Sequence, residues 1–349
     1  MRNLVLYFSA TGNTERMAGI VKAELERAGQ EVLVRRIPEP IANADIAGVD
    51  RVIVAFPVLG KAPPVFVQRF LRRLPRASSP NLTGVSLAVD ARGGGPAALR
   101  AAGILRRRGY RVEACARVSY PENWAQIGAV PRDEATAAAF LVKGDQRARE
   151  LGAELARGEG RVERESAGSW AVGAVMAFLF DAFGRRFMGK MFAADARCTA
   201  CGLCARSCPA GTILVGKRRG ARPFWRMNCE NCNRCINICP SRAIRTSLLG
   251  TILQFASIGL VIVMMLWIVN TWLWPLIGSG LAAALGAVWT SALRAALVVA
   301  AVLGAHFLAI GPVDFFVLRW LRKLPGLRDA FAIPFSRREA RYTAPGFRP

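Results

Sequence analysis

Histidine is almost missing from this chain: among 349 residues there is one, His306. Haem held between two histidines of the same chain is therefore excluded. No catalytic base or nucleophile stands out elsewhere, so any chemistry is expected to reside in bound groups. Cysteine is sparse outside two short runs. Cys115 is the only one of nine that stands apart, within the apolar stretch 112–118, where it reads as a buried structural thiol. Charge is nearly absent from 247–318: Arg294 is the only basic residue there besides His306, and Asp314 is the acidic one. The formal net charge of +24 comes with no nucleic-acid motif, so nucleic acid is not an expected partner. The apolar stretch 4–8 is too short for a secretory leader and has no cleavage site, so a disulfide framework is not expected either.

The remaining cysteines form two identical runs. Cys198, Cys201, Cys204 and Cys208 precede Pro209, and Cys229, Cys232, Cys235 and Cys239 precede Pro240. Each reads C-x2-C-x2-C-x3-C-P, the bacterial ferredoxin spacing for a 4Fe-4S cluster. Three thiolates two residues apart wrap a loop around one face of an iron-sulfur cube. The fourth lies too far along to close the same cube, and in this pattern it ligates the other cluster. Cys198, Cys201, Cys204 and Cys239 are thus expected at cluster 1, and Cys229, Cys232, Cys235 and Cys208 at cluster 2. The prolines turn the chain after each run, and Gly202 and Gly211 allow tight turns near the sulfurs. Zinc is the competing ligand, but it favours four ligands in C-x2-C pairs, which a third cysteine in each run fits poorly.

Length and hydropathy call for several units. A chain of this size exceeds one compact core, and 53% hydrophobic residues with a mean hydropathy of +0.27 is high for a soluble protein. Residues 248–273 form an uncharged apolar run beyond the roughly 20 residues that span a bilayer, with Trp267, Trp272 and Trp274 clustered at its far end like an interfacial belt. A second span is expected over 295–318, after a stretch holding Gly278, Gly280 and Gly286; the apolar stretch 281–293 is a partial helix or an extension of that span. Arg319, Arg322, Lys323, Arg328, Arg337, Arg338 and Arg341 follow. Basic residues flanking the pair at both outer ends predict a helical hairpin with both ends in the cytoplasm. An intramembrane His306 is a candidate for haem or quinone contact, against a hydrogen-bonded role in helix packing. Asp314 is expected near the cytoplasmic interface.

The N-terminal region alternates strand and helix. Strands are predicted over 4–8, 31–36, 51–55, 85–89 and 111–118, and helices over 15–27, 65–74, 97–108 and 132–156. That alternation points to a parallel, doubly wound sheet. Between the first strand and helix lie Ser9, Ala10, Thr11, Gly12, Asn13 and Thr14. Hydroxyls and free N–H groups at a helix N-terminus make a phosphate cradle. Gly93-Gly94-Gly95-Pro96-Ala97-Ala98 also fits G-x-G-x-x-A, but it follows a late strand rather than the first, where a dinucleotide fingerprint belongs.

Residues 1–156 resemble a flavodoxin-type domain, with Ser9 to Thr14 matching its S/T-x-T-G-x-T loop. The resemblance implies an α/β flavodoxin-like doubly wound parallel sheet of order 2-1-3-4-5 and a phosphate loop for FMN. It also implies two loops flanking the flavin ring: Phe56, Pro57, Val58, Leu59, Gly60 and Lys61 on one side, Asp90, Ala91, Arg92, Gly93 and Gly94 on the other. Many flavodoxins stack aromatic rings there; here Val58 and Leu59 hold the first-loop position. Residues 120–124 follow the last strand and are a further candidate wall. Residues 1–246 as a whole resemble bacterial flavodoxin–ferredoxin fusion proteins. This implies an α+β ferredoxin domain over 194–246 after a linker, 157–193. Within the linker, residues 170–183 are apolar but too short to span. They are either an interfacial helix, with Arg185, Arg186 and Lys190 at lipid headgroups, or a helix packed between domains. An α-helical transmembrane hairpin over 247–318 and a basic cytoplasmic tail over 319–349 complete the plan.

The function expected is a membrane-anchored electron-transfer protein of the bacterial inner membrane. It relays electrons between FMN, two 4Fe-4S clusters and a redox protein or membrane oxidoreductase, with the redox domains cytoplasmic. FMN exchanges one or two electrons and each cluster one, so the set interconverts paired and single electrons. The alternatives are a membrane flavoenzyme that reduces quinone or oxidises a tetrapyrrole precursor, and a redox sensor.

Overall fold

A computed structural model describes residues 1–91, 95–131, 133–216, 221–276, 287–305, 319–335 and 340–349. The expectations for Arg92, Gly93, Gly94, Gly278, Gly280, Gly286, His306, Asp314, Arg337 and Arg338 fall outside these residues.

The first half is a sheet of β1 (Arg2–Tyr7), β2 (Glu31–Arg36), β3 (Arg51–Pro57), β4 (Thr83–Asp90) and β5 (Arg111–Ser119), all parallel, in the order β2-β1-β3-β4-β5. The expected strand order is thus found. β1, β3 and β4 are apolar runs buried on both faces, as parallel strands covered by helices must be. Their side chains alternate between two cores. Leu4, Leu6, Val52 and Val54 pack with Ile46 of the short α2 (Asn43–Ile46), with Val67 and Leu71 of α3 (Val65–Arg73) and with Ala101 and Leu105 of α4 (Ala97–Arg107). Val5, Ile53, Val85 and Leu87 pack with Met17, Val21 and Leu25 of α1 (Asn13–Arg27) and with Leu151 and Leu155 of α5 (Glu134–Ala156). Each valine, leucine, isoleucine or methionine among them contributes about 1.5–3 kcal/mol when taken from water. Cys115 lies 1% exposed in β5, and burial pushes its thiol up to about 12, as an inert structural cysteine should have. The chain after α5 covers the open edge of β5: the Cys115 N–H donates to the Arg161 carbonyl, and the Glu163 N–H to the Cys115 carbonyl.

The linker then forms one helix from Ala167 to Lys190, 24 residues long. It comprises α6 (Ala167–Leu179), a widened turn at Phe180–Gly184 and α7 (Arg185–Lys190). This corrects the shorter apolar segment expected at 170–183. Two of the three basic residues expected at headgroups turn inward instead. Arg185 and Lys190 are buried, donating to the carbonyls of Cys229 and Trp225 at 3.1 and 2.9 Å.

The cysteine domain is small and has two similar halves. β6 (Phe192–Ala194) pairs antiparallel with β9 (Ile244–Thr246), and β7 (Ile213–Leu214) with β8 (Phe224–Trp225). Each cysteine run opens a one-turn helix, α8 (Leu203–Arg206) or α9 (Arg234–Asn237). The loops before them repeat one backbone shape: Ala200 and Asn231 have φ near +55° and +53°, and Gly202 and Asn233 +74° and +56°. Three of these four are not glycine, so the loop packing sustains a left-handed backbone that costs about 1–2 kcal/mol per residue.

β9 runs straight into α10 (Leu248–Ile268), whose first turn is capped by the buried Ser247 hydroxyl accepting from the Gly250 N–H. The helix continues to Leu276, 29 residues in all, and it and Ala167–Lys190 are the two described helices long and apolar enough to cross a membrane. A further helix, Ala287–Ala305, packs on α10. It takes in part of 281–293, as an extension of the second span would, and runs through Arg294, whose guanidinium donates to Asn270 in the continuation of α10 and lies 5.1 Å from the Trp274 ring. The basic C-terminal segment returns to the cysteine domain. Arg322 donates to the Phe192 and Lys190 carbonyls, and Arg341 to those of Ile236, Arg242 and Ile244.

Candidate redox site

The sheet order reverses at β1, and the crevice at its carboxyl end is where ligands of such sheets bind. A cavity of about 640 Å³ opens there. Ser9, Ala10, Thr11, Asn13 and Thr14 line it, at the N-terminus of the 15-residue helix α1. Gly12 sits at the turn with φ +105°. Its N–H donates to the Ser9 hydroxyl at 3.0 Å, while Asn123 donates to the Thr11 hydroxyl at 3.0 Å. These bonds hold the loop around a space that α1 faces with its positive dipole end.

Pro57, Val58, Leu59, Gly60 and Lys61 line one side of the cavity, with Asp90 and Ala91 also on its wall. Phe56, expected in that set, is instead wholly buried in the sheet core. It occupies a β3 position whose side chain points away from the crevice. Tyr120 and Trp124 line the cavity as well. The aromatic wall missing from the first loop comes from elsewhere: Phe180 and Phe183 of the linker helix line the same space. Phe180 sits so close to Gly60 that a Cβ there would lie 2.0 Å from the Phe180 ring, so this contact needs glycine. Nothing in the periodicity of residues 170–183 marks this packing; only the distant Gly60 hints at a close approach.

The third wall belongs to the cysteine domain. Asn231 and Asn233, on either side of Cys232, line the cavity. Asn231 is 3% exposed, and its Oδ1 finds no partner among the described residues, nor does the buried Trp124 Nε1. A buried acceptor and donor left open in one apolar cavity fit a ligand with its own donors and acceptors, as a flavin ring has.

Two smaller cavities hold the other cysteines. Cys198, Cys201, Cys204 and Cys239 line one, and Cys208, Cys229, Cys232 and Cys235 the other. The fourth cysteine of each run therefore stands with the three of the other run. All eight are free thiols. Among the described residues no three such side chains converge on one point, as a single ion needs; four thiols surround each space instead. Burial pushes the Cys204 thiol up to about 11 and that of Cys232 to about 12, and neighbouring thiols add to the effect. Burial raises Cys229 and Cys235 further still. Ionised sulfurs there need compensating positive charge, which cluster iron supplies. The second cavity is deep, with Cys229 and Cys235 buried, whereas Cys201 of the first is exposed.

The two redox regions share structure as well as a boundary. Cys232 packs against the core under β1 and β3, and Asn233 lines both the large cavity and the second cysteine cavity. Glu230 accepts from the Val65 N–H of α3 at 2.8 Å and pairs with Arg185 at 3.6 Å, both side chains 4% exposed. Arg234 donates to the Ser9 carbonyl at 2.8 Å. The C-terminal segment closes the other side of the phosphate loop: the Tyr342 hydroxyl donates to Asn13 at 2.7 Å and the Ala344 N–H to the Thr11 carbonyl at 2.7 Å.

Residues 190–241 match the 4Fe-4S dicluster domain family. No curated protein sequence matches the chain. Among solved structures, a flavodoxin from the domain Archaea is 20% identical, covering 45% of this chain and 97% of its own, with a TM-score of 0.35. The flavodoxin of Streptococcus pneumonia TIGR4 is 19% identical over 44% of this chain and 99% of its own, with a TM-score of 0.32. Two-electron reduced Megasphaera elsdenii flavodoxin is 22% identical over 42% and 99%, with a TM-score of 0.29. The fold itself rests on the strand order, and the chain joins a flavodoxin-like α/β domain to a dicluster ferredoxin-type domain.

Proposed function

We propose that this protein is a membrane-bound flavo-iron-sulfur electron carrier. FMN occupies the large cavity, and one 4Fe-4S cluster occupies each cysteine cavity. The observation that carries this is the shared wall: Asn231 and Asn233 face the flavin cavity while Cys232 between them faces the second cysteine cavity. Electrons then pass between the flavin and cluster 2, held by Cys229, Cys232, Cys235 and Cys208. Cluster 1, held by Cys198, Cys201, Cys204 and Cys239, is the outlet, because Cys201 is exposed. When bound, the flavin takes or gives one or two electrons and each cluster one. The chain's own part is to hold the phosphate at Ser9–Thr14, to exclude water from the ring with Trp124, Phe180 and Phe183, and to fix the two domains rigidly.

The partner at cluster 1 is a redox protein or a membrane oxidoreductase. Arg206 donates to the Cys201 carbonyl, so the outlet carries positive charge that draws an acidic surface. α10 and the helix Ala287–Ala305 anchor the protein in the bacterial inner membrane as a hairpin, with the redox domains and the C-terminal segment on the cytoplasmic side. Anaerobic purification tests the core of this: the protein should carry FMN and about eight irons per chain, as two 4Fe-4S clusters require. Lack of flavin, or about half the iron, overturns it.

A further inference from the structure

We propose that the flavin cavity opens toward the bilayer and admits an apolar ring compound of the quinone class from the lipid. This rests on the flavin reading above and gives it a membrane-dissolved ligand. Beside Lys61, Glu122 and Asn123, the cavity's lining includes an exposed apolar stretch: Ile127, Met176 and Leu179 are 55%, 49% and 49% exposed. This stretch continues outward along one helix. Val172, Val175, Met176 and Leu179 follow the i, i+3, i+4, i+7 spacing of a single face of α6, and Phe178 flanks it. Val172, Val175 and Phe178 are 62%, 59% and 60% exposed. A contiguous exposed apolar face marks a site of contact with a membrane or another molecule.

The occupant of this face is fixed by its neighbour. The same helix continues into α7, where Phe187 meets Phe255 of α10 edge-on at 5.1 Å. α10 has its own exposed apolar side chains, including Ile252, Phe255, Leu260 and Val263. The apolar face of α6 is therefore continuous with that of a membrane span, and lipid covers both. Two of the charges on this helix are paired within the protein: Asp181 is held by Gln68 and Arg100, and Arg185 by Glu230 and the Cys229 carbonyl. The adjoining side of the helix, with Gly173 against Pro96 and Phe180 against Gly60, closes over the flavin cavity. A molecule leaving the bilayer along α6 thus reaches the cavity between Met176, Leu179 and Ile127 without crossing water.

The test uses the full chain in liposomes with two probes, a diazirine-bearing phospholipid and an azido-quinone, and maps labelled residues by mass spectrometry. Flavin per chain is measured on the same sample. The lipid probe should label Val172, Val175 and Phe178 as it labels α10. The azido-quinone should label 124–129 and 176–183, and excess unmodified quinone should suppress that labelling at least fivefold. Val172→Glu with Val175→Glu, neither lining the cavity, should abolish the quinone labelling at unchanged flavin content. Quinone labelling confined to the membrane helices of a flavin-loaded protein overturns the proposal. So does an α6 face shielded from the lipid probe in a protein that light scattering shows to be dimeric, since a second copy then covers it. A protein without flavin overturns the carrier function instead, whatever the labelling.

Discussion

Asp145 accepts three hydrogen bonds, two from Arg16 at 2.8 and 2.6 Å and one from the Tyr120 hydroxyl at 3.0 Å. It ties α5 to α1 directly behind the phosphate loop. Burial raises its carboxyl, but the bonds from Arg16 and Tyr120 outweigh burial and hold it below the ordinary value of 3.8. A carboxylate depressed in the folded state adds stability that is fully present above its unfolded value and is lost as pH falls through its folded one. Asp145→Asn should therefore lower stability at pH 7 by about 2–3 kcal/mol. The gap between wild type and variant in urea unfolding should stay constant down to about pH 4 and shrink below 3.8. A gap that persists unchanged at pH 2 would show that packing, not charge, is lost. The same scale shows what the sequence hides. Ser9 to Thr14 announce a phosphate loop because hydroxyls, glycine and a helix start are local features. Phe180 and Asn231 announce nothing, because their role depends on contacts between residues more than a hundred positions apart.

At the level of elements, the five strands and four long helices of the first domain are legible because each is a continuous apolar or amphipathic run bounded by Gly, Pro or polar residues. The linker helix is less so. Asp181, Arg185 and Arg186 look like the end of an apolar segment, yet Gln68, Arg100 and Glu230 pair with Asp181 and Arg185 across the domain boundary, and the helix runs on. The C-terminal segment deceives in the same way. A run of arginines suggests a solvated tail, but Arg322 and Arg341 saturate backbone carbonyls of the cysteine domain. Residues 340–349 consequently act as a strap from that domain to the phosphate loop. Tyr342 bonds Asn13, and Gly12 lies so close that a Cβ on it would sit 2.7 Å from Ala344. Tyr342→Phe removes one bond and Ala344→Pro the N–H that reaches Thr11. At about 1 kcal/mol each, the pair should weaken FMN binding about tenfold or more in a fluorescence titration, with iron content unaffected. Equal affinity in the double variant would mean the loop keeps its shape without the strap.

For the whole molecule, the arrangement sets an order of centres that the sequence order alone does not give. In sequence, the run beginning at Cys198 comes first after the flavodoxin-like domain; in space, the later run around Cys232 abuts it. The exchange of the fourth cysteines between runs couples the two cavities, so each run helps hold both clusters. In the relay proposed above, cluster 2 is the middle station and cluster 1 the terminal one. Cys201→Ala and Cys235→Ala separate these roles. Both should keep FMN, because neither residue lines its cavity, and each should lose about four irons. After photoreduction of the flavin under anaerobic conditions, Cys201→Ala should retain fast electron transfer out of the flavin, into cluster 2, but fail to reduce an added acidic acceptor protein. Cys235→Ala should lose the fast flavin phase itself although cluster 1 remains. If the two variants exchange these behaviours, cluster 1 is the flavin's neighbour and the spatial order is wrong. If both retain the fast phase and reduce the acceptor, electrons leave the flavin without the clusters, and the relay fails as a whole.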